Sequence, residues 1–214
     1  MIHMTESISV ATAREADART INEIGIPSLV LMERAALGST ARLLNGDFDL
    51  TKVLIVAGTG NNGGDGLVVA RLLHVRGIDV TVMMTGDPKK ASPETAQQLK
   101  ILAYYGITMQ PTTTDIADYT TIVDAIFGVG LDRPVAGRYA DWINAINASA
   151  AKVLAIDVPS GLNADTGQPQ GATVKAAVTS TMAYPKIGFN QSTAQPYTGK
   201  VVVEDIGVYL ANNS

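Results

Sequence analysis

Six short apolar runs, separated by longer amphipathic stretches, constrain the fold of this chain more than any other feature. The runs cover residues 53–57, 80–84, 121–124, 153–156, 178–182 and 200–203. Their almost continuous apolar character is typical of parallel strands that are covered on both faces. Helices are predicted between them at residues 67–76, 93–105 and 139–148. The alternation predicts an α/β fold, a three-layer α/β/α sandwich with a mostly parallel sheet.

Two N-terminal helices are predicted before the first strand. The first covers residues 9–24 and ends at Gly-Ile-Pro, and the second begins near Pro27, a residue that the first turn of a helix tolerates. Its apolar stripe is expected either to pack on the sheet or also to meet a second subunit. The stripe consists of Leu29, Met32, Ala36 and Leu43. No repeat or linker interrupts the chain, which predicts a single domain over residues 1–214 with its core at about 10–208.

Composition argues against several classes of function. The chain has no cysteine, and its two histidines, His3 and His74, stand in a terminal tail and at the back of a helix. A catalytic triad is therefore not expected, and acid–base chemistry falls to carboxylates, lysine or tyrosine. A net charge of −4 without a basic stripe argues against nucleic acid as a partner. No apolar run is long enough to span a membrane and no secretory signal is recognised, so a cytoplasmic protein is expected.

The first strand runs into a glycine-rich segment, residues 58–66 with the sequence GTGNNGGDG, which is predicted to be a loop before a helix. Such a segment lets backbone N–H groups approach a phosphate at the positive end of the helix dipole. Gly64 and Asp65 stand where a P-loop needs Lys and Ser or Thr, so ATP hydrolysis is not expected. The ribose-binding carboxylate of an ordinary dinucleotide site is also poorly matched. Asn61, Asn62 and Asp65 either stabilise the segment through Asx turns or contact a ligand.

Two predicted strands end in a carboxylate. Asp124 and Asp157 close their apolar runs, and Ser160 follows three residues after the second. Because the carboxyl ends of parallel strands meet at one edge of a sheet, these side chains and Asn62 are expected to share a crevice. Their oxygens suit a hard cation, and the small formal charge favours a large monovalent ion. The alternative is that one aspartate caps a turn and the other pairs with Arg133.

A second glycine-bearing segment follows Asp124. It consists of Gly128, Val129, Gly130, Leu131, Asp132, Arg133 and Pro134. Its arginine either holds a phosphate through two hydrogen bonds or is an ordinary surface residue.

Four motifs together resemble the NAD(P)H-hydrate epimerases, the family of the YjeF N-terminal domain. They are GNNGGDG at 60–66, DAIFG at 124–128 with Gly130, DVPSGLN at 157–163 and YPKIG at 184–188, and the match runs in order from about residue 13 to 208. The resemblance implies a Rossmann-like sandwich, commonly a homodimer, that interconverts the R and S epimers of NADHX and NADPHX, nicotinamide cofactors hydrated at C6. It also implies a partner, a separate ATP- or ADP-dependent NAD(P)H-hydrate dehydratase that acts on the S epimer. The alternative is a non-catalytic nucleotide- or RNA-associated scaffold of the same fold.

The resemblance also implies residue roles. Substrate contacts would come from Asn61, Asn62, Gly63, Gly64 and Asp65, from residues 128–134, and from Asp157 beside the reacting ring. Asn62, Asp124 and Ser160 would bind a potassium ion, K+. Epimerisation needs a group that protonates the departing C6 hydroxyl and deprotonates incoming water. Asp157 is the expected acid–base residue, and Lys186 is a second candidate because a buried lysine can act in either protonation state.

Overall fold

The computed structural model describes residues 6–210, and a seven-stranded sheet forms its centre. The strands are β1 (Val53–Ala57), β2 (Val80–Met84), β3 (Thr108–Gln110), β4 (Thr121–Ala125), β5 (Lys152–Ile156), β6 (Val178–Met182) and β7 (Lys200–Glu204). Their order across the sheet is β3-β2-β1-β4-β5-β6-β7, and every neighbouring pair is parallel. The predicted α/β fold with a mostly parallel sheet is confirmed.

Helices cover both faces of this sheet. They are α1 (Val10–Arg19), α2 (Ser28–Leu44), α3 (Asn61–His74), α4 (Pro93–Tyr105), α5 (Arg138–Ala148) and the short α6 (Gln195–Thr198). Alternate residues of β1 enter different cores, because successive strand side chains point to opposite faces. Ile55 packs with Leu67 and Leu73 of α3, whereas Leu54 packs with Trp142 of α5. The sheet is therefore the middle of three layers.

The first N-terminal helix and the start of the second lie beside the carboxyl edge of the sheet, and the rest of α2 packs on the sheet face. Ser9 caps α1 by accepting a hydrogen bond from the backbone N–H of Thr12. The helix continues as a π-helical turn over Thr20–Ile24 and ends at Gly25, whose φ of +86° is the left-handed conformation that glycine adopts without strain. Together α1 and α2 form an apolar cluster with the segments after β6 and β7. The predicted helical stripe of α2 is buried except at one position.

That exception is Leu29, which is 40% exposed. Met32, Ala36 and Leu43 enter the main core, whereas Leu31 and Ala35 join the cluster with α1, so Leu29 does not pack on the sheet with the rest of the stripe. A further element escaped prediction, because β3 has only three residues, with Met109 alone apolar, and lies at the exposed edge of the sheet. Three other strands extend one residue beyond their predicted bounds, to Ala125, Lys152 and Glu204.

The glycine-rich segment differs most from its prediction. It was expected to be a loop up to residue 66, but α3 begins at Asn61 and includes most of the segment. The glycines permit close packing of this helix on the sheet. A Cβ on Gly66 would lie 2.5 Å from the Cβ of Ala125, and one on Gly63 would collide with the carbonyl of Gly58. His74 ends α3, whereas His3 lies outside the described residues. Across residues 6–210, no helix has the length and apolarity needed to cross a membrane.

Candidate functional site

A cavity of about 790 Å³ opens at the carboxyl edge of the sheet. Its walls come from the N-terminal helices, the start of α3, the segment after β4, the end of β5 and the segment after β6. Residues that line it include Asp17, Asn61, Asn62, Asp65, Gly128 to Pro134, Asp157 and Lys186. The site thus lies where ligands of open parallel sheets bind, outside the carboxyl ends of the strands.

The amino end of α3 forms one wall of this cavity. Gly60 caps the helix, and the first N–H groups of the helix have no carbonyl partner within it. The start of α4 fixes this end, because Thr95 Oγ1 in its first turn donates to the Gly60 carbonyl at 2.9 Å. Ser92 Oγ donates to Asn61 Oδ1 at 2.6 Å and so orients that side chain. A fixed helix amino end whose cap residue supplies no side-chain hydrogen bond is suited to a phosphate.

Asp157 projects into the cavity from the end of β5 in an unusual backbone conformation. Its φ is +63°, a region that non-glycine residues rarely occupy and that is concentrated at functional sites. Lys186 Nζ donates to Asp157 Oδ1 at 2.8 Å, to Thr181 Oγ1 at 2.9 Å and to the Tyr184 carbonyl at 3.0 Å. A fourth contact, to the Met182 carbonyl, measures 3.2 Å. The lysine therefore donates its hydrogen bonds to fixed acceptors and holds the carboxylate in place.

Two more carboxyl groups face the same cavity. Burial, and after it repulsion from Asp157 and Asp17, raises the pKa of Asp65 well above its ordinary value. Asp17 on α1 keeps contact with solvent, but desolvation followed by repulsion from Asp157 raises its pKa to about 6, against an opposing effect of Lys186. Asp17 was missed in the sequence. Its position four residues after Ala13 and four before Ile21, both partly buried, was the available signal.

Asp124 and Ser160 lie behind the cavity wall and are almost fully buried. Ser160 Oγ donates to Asp124 Oδ1 at 2.6 Å, and the Ser160 N–H donates to Asp124 Oδ2 at 2.8 Å. Burial raises the pKa of Asp124 to about 6, although the hydrogen bonds from Ser160 and the Ile126 N–H lower it.

Asn62 makes no side-chain hydrogen bond to this pair and lies next to Gly128. Both polar atoms of its buried amide lack a hydrogen-bond partner in the part of the chain that the structure describes. Unsatisfied buried amides are costly, so such an amide points to a missing ligand. Its oxygen, together with Asp124 and Ser160, is the kind of donor set that a hard cation takes.

The structure brings most of the predicted site residues together. Gly63 and Gly64 are exceptions, because they are buried packing positions of α3, and Asp124 and Ser160 are exceptions because they lie behind the cavity wall; none of the four lines the cavity. The alternative pairing of an aspartate with Arg133 is not seen: Asp157 pairs with Lys186. Arg133 lines the cavity and is exposed, which leaves its guanidinium available to a ligand.

Comparisons with known proteins place the chain in a family. The family model of the YjeF-related protein N-terminus matches residues 28–188. The NAD(P)H-hydrate epimerase of Levilactobacillus brevis is 56% identical over 206 residues, covering 96% of both chains. Those of Lentilactobacillus buchneri and Oenococcus oeni are 54% and 50% identical, and cover 98% and 94% of this chain and 98% and 97% of their own. These relatives favour an epimerase, which is an isomerase, over a non-catalytic scaffold.

A solved structure gives the same result for the fold. The crystal structure of yeast ynu0 superimposes with a TM-score of 0.77 at 23% identity, covering 92% of this chain and 87% of that one. The two chains thus share a fold although their sequence identity is only 23%. The family model and the full-length relatives show that this chain belongs to the family of the YjeF-related protein N-terminus.

Proposed function

We propose that this chain is an NAD(P)H-hydrate epimerase that interconverts the R and S epimers of NADHX and NADPHX as a step of cofactor repair. The observation that carries the proposal is the Asp157–Lys186 ion pair in the same cavity as the amino end of α3. One end of that cavity suits a pyrophosphate and the other offers a fixed carboxylate. The names of relatives at 50–56% identity support the same reaction.

The proposed binding mode follows from these two ends. The pyrophosphate lies against the first turn of α3, at residues 61–65, where N–H groups and the helix dipole attract negative charge. The segment 128–134 covers the dinucleotide, and Arg133 supplies a cationic contact. The hydrated nicotinamide then reaches Asp157. Residues 1–214 act as one domain in this proposal.

In the proposed reaction the ring nitrogen expels the C6 hydroxyl, and water returns to the other face of the ring. Asp157 is the acid–base group, and its negative charge also stabilises the positive charge that develops on the ring. Lys186 is buried and its contacts with four acceptors leave no free proton. It therefore serves as a positioning residue for Asp157 and not as the second acid–base candidate expected from the sequence.

A potassium ion is the proposed cofactor. Asn62, Asp124 and Ser160 would hold it, and the unsatisfied amide of Asn62 is the observation that fits. When bound, the ion supplies positive charge that orders the surrounding segments. Among residues 6–210 there is no group of three or more acidic, histidine or cysteine side chains of the kind that binds a divalent metal.

The proposal includes partners and a location. A separate ATP- or ADP-dependent dehydratase consumes the S epimer in the cytoplasm. A homodimer is proposed through α2, because Val30, Leu37 and Leu44 recur every seven residues on its exposed face. The charge of −4 leaves nucleic acid disfavoured.

The direct test is to incubate R-NADHX with folded protein in potassium buffer and to follow the R:S ratio by chromatography. We expect the ratio to reach equilibrium much faster than in buffer alone. Asp157→Asn should remove the activity, whereas Asp141→Asn, an exposed residue outside the cavity, should keep it. Wild-type protein that does not accelerate the change would reject the proposed function and leave the scaffold alternative.

A further inference from the structure

The cavity is lined by more acid–base groups than the single carboxylate of Asp157. Four aspartates line it: Asp17 on α1, Asp65 on α3, Asp157 directly after β5, and Asp132 in the exposed segment after β4. Only Asp157 has a cationic partner within 4 Å among the described residues. Other titratable or charged side chains on the wall are Glu94, Arg133, Tyr139, Tyr184 and Lys186.

The environments of these aspartates differ. Asp157 accepts hydrogen bonds from Lys186 and from the N–H of Met182, which fix the position of its carboxylate. No hydrogen bond offsets the burial of Asp65 in the described residues, and burial raises its pKa. The pKa of Asp17 is about 6, close to the value at which a group donates and accepts protons equally well near neutrality. Carboxyl groups held in different states are the usual acid–base pairs of enzymes.

We propose that Asp17 is a second catalytic residue, which acts on one face of the hydrated ring while Asp157 acts on the other. This inference rests on the proposed function. Inversion at a carbon needs a proton donor where the old hydroxyl leaves and a proton acceptor where the new one arrives. The N-terminal helix and the sheet edge form different walls of the cavity, so the two carboxyl groups supply these two positions.

The step balances without a further reactant. Asp17 gives its proton to the C6 hydroxyl, the C6–O bond breaks, and the N1 electron pair forms the C=N bond of an iminium. A water molecule adds to C6 from the Asp157 side and gives a proton to that carboxylate. One water leaves, one enters, and one proton has moved from Asp17 to Asp157. Asp65, whose pKa is raised by burial and by repulsion from both groups, lines the same cavity, and in this proposal it returns the proton.

The pair is active when it holds one proton, which sets the pH dependence. Epimerisation by the wild type, measured as kcat/KM, is expected to fall as the pH rises through about 6, because Asp17 then loses its proton. Asp17→Asn should lack this fall. A residue with a purely structural role would lower the activity without changing the shape of the profile.

The decisive experiment uses water labelled with oxygen-18. Wild type should exchange the C6 oxygen of both epimers while inverting them. Asp17→Asn should invert at least about 100-fold more slowly, with KM changed less than about 3-fold. It should still exchange the oxygen of the one epimer whose hydroxyl faces Asp157, with retention. The matched control is Glu15→Gln, an exposed acid on the same helix that does not line the cavity.

The outcomes separate this inference from the proposed function. Wild type that fails to invert R-NADHX overturns both. Active wild type with an equally active Asp17→Asn, or with exchange lost equally for both epimers, overturns only the role of Asp17. A melting temperature for Asp17→Asn at least equal to that of wild type excludes misfolding as the cause, and Asp17→Ser provides a second variant.

Discussion

Lys186 and Asp157 form an ion pair of 2.8 Å in which the lysine side chain is 3% exposed and the carboxylate side chain 14%. The lysine also contacts Thr181 Oγ1 and the carbonyls of Met182 and Tyr184. Since Asp157 occupies a left-handed backbone conformation, this pair stabilises a geometry that the chain would otherwise avoid. The pair therefore connects the stability of the fold with the function of the cavity.

Lys186→Met should lower the free energy of unfolding by about 3–5 kcal/mol, because it leaves a partly buried carboxylate without its counter-charge. Urea denaturation near neutral pH measures this loss. The exposed Lys175→Met is the control and should cost less than about 0.5 kcal/mol. Adding Asp157→Asn to Lys186→Met should recover part of the loss. No recovery would mean that the ion pair is not the source of the effect.

The sequence predicted the sheet well, because five-residue apolar runs such as those of β1 and β2 match strands buried on both faces. It failed at β3, because this edge strand has only three residues and Met109 alone is apolar. It also failed at the start of α3, because glycine usually interrupts a helix, whereas Gly63 and Gly66 here serve close packing. The helix propensity of a glycine does not show which backbone segment will pack against it in the fold.

The sequence predicted those site residues that stand at or just after the end of a strand, since the carboxyl ends of parallel strands meet at one edge of the sheet. Asp124, Asp157 and Asn62 are of this kind. Asp17 lies on a helix before the sheet, and its approach to the cavity depends on how α1 packs against Ile206 and Tyr184. That contact joins residues far apart in the chain, so the spacing of Ala13, Asp17 and Ile21 places Asp17 on the apolar face of α1 but does not show that this face meets the cavity.

Asp65→Asn should stabilise the protein in alkaline solution and leave it almost unchanged in acid. Burial, with repulsion from Asp157 and Asp17, raises the pKa of Asp65 in the folded state. The folded protein therefore binds this proton more tightly than the unfolded chain, and stability falls as the pH rises through the window above the ordinary value of 3.8. At about pH 8 the gain should be about 1–2 kcal/mol, and it should vanish below about pH 3. Thermal denaturation across this range measures it, and a gain that is independent of pH would contradict the explanation.

Gly63→Ala should lower the free energy of unfolding by about 1–3 kcal/mol, because its Cβ would collide with the Gly58 carbonyl and push α3 away from β1. Gly60→Ala is the matched control. A Cβ there meets nothing within 4 Å and the φ is −82°, so the loss should stay below about 0.5 kcal/mol. Equal losses in the two variants would show that flexibility, and not close packing, is what these glycines provide.

Leu37→Arg should dissociate the proposed dimer, because it places a charge in the middle of the exposed apolar stripe of α2. Sedimentation velocity at micromolar concentration measures the change from dimer to monomer. Val75→Arg tests an exposed apolar residue elsewhere, just after α3, and should leave the association unchanged. A wild type that sediments as a monomer, or a Val75 variant that also dissociates, would argue against α2 as the interface.

The effect of Asn62→Ala on the stability of the protein should change sign with the cation in the buffer. Without potassium, the variant should be at least as stable as wild type, because it removes two buried polar atoms that have no hydrogen-bond partner among residues 6–210. With potassium, wild type alone should gain stability, since an ion that binds only the folded state stabilises it by an amount that grows with ion concentration; at 100 times the dissociation constant this gain is about 2.7 kcal/mol. Melting temperatures in potassium chloride and in choline chloride measure both effects, and the exposed Asn144→Ala should follow wild type in each. Equal potassium responses in wild type and Asn62→Ala would remove the amide from the ion site, while a loss of stability in both buffers would mean that Asn62 supports the fold through a contact of another kind.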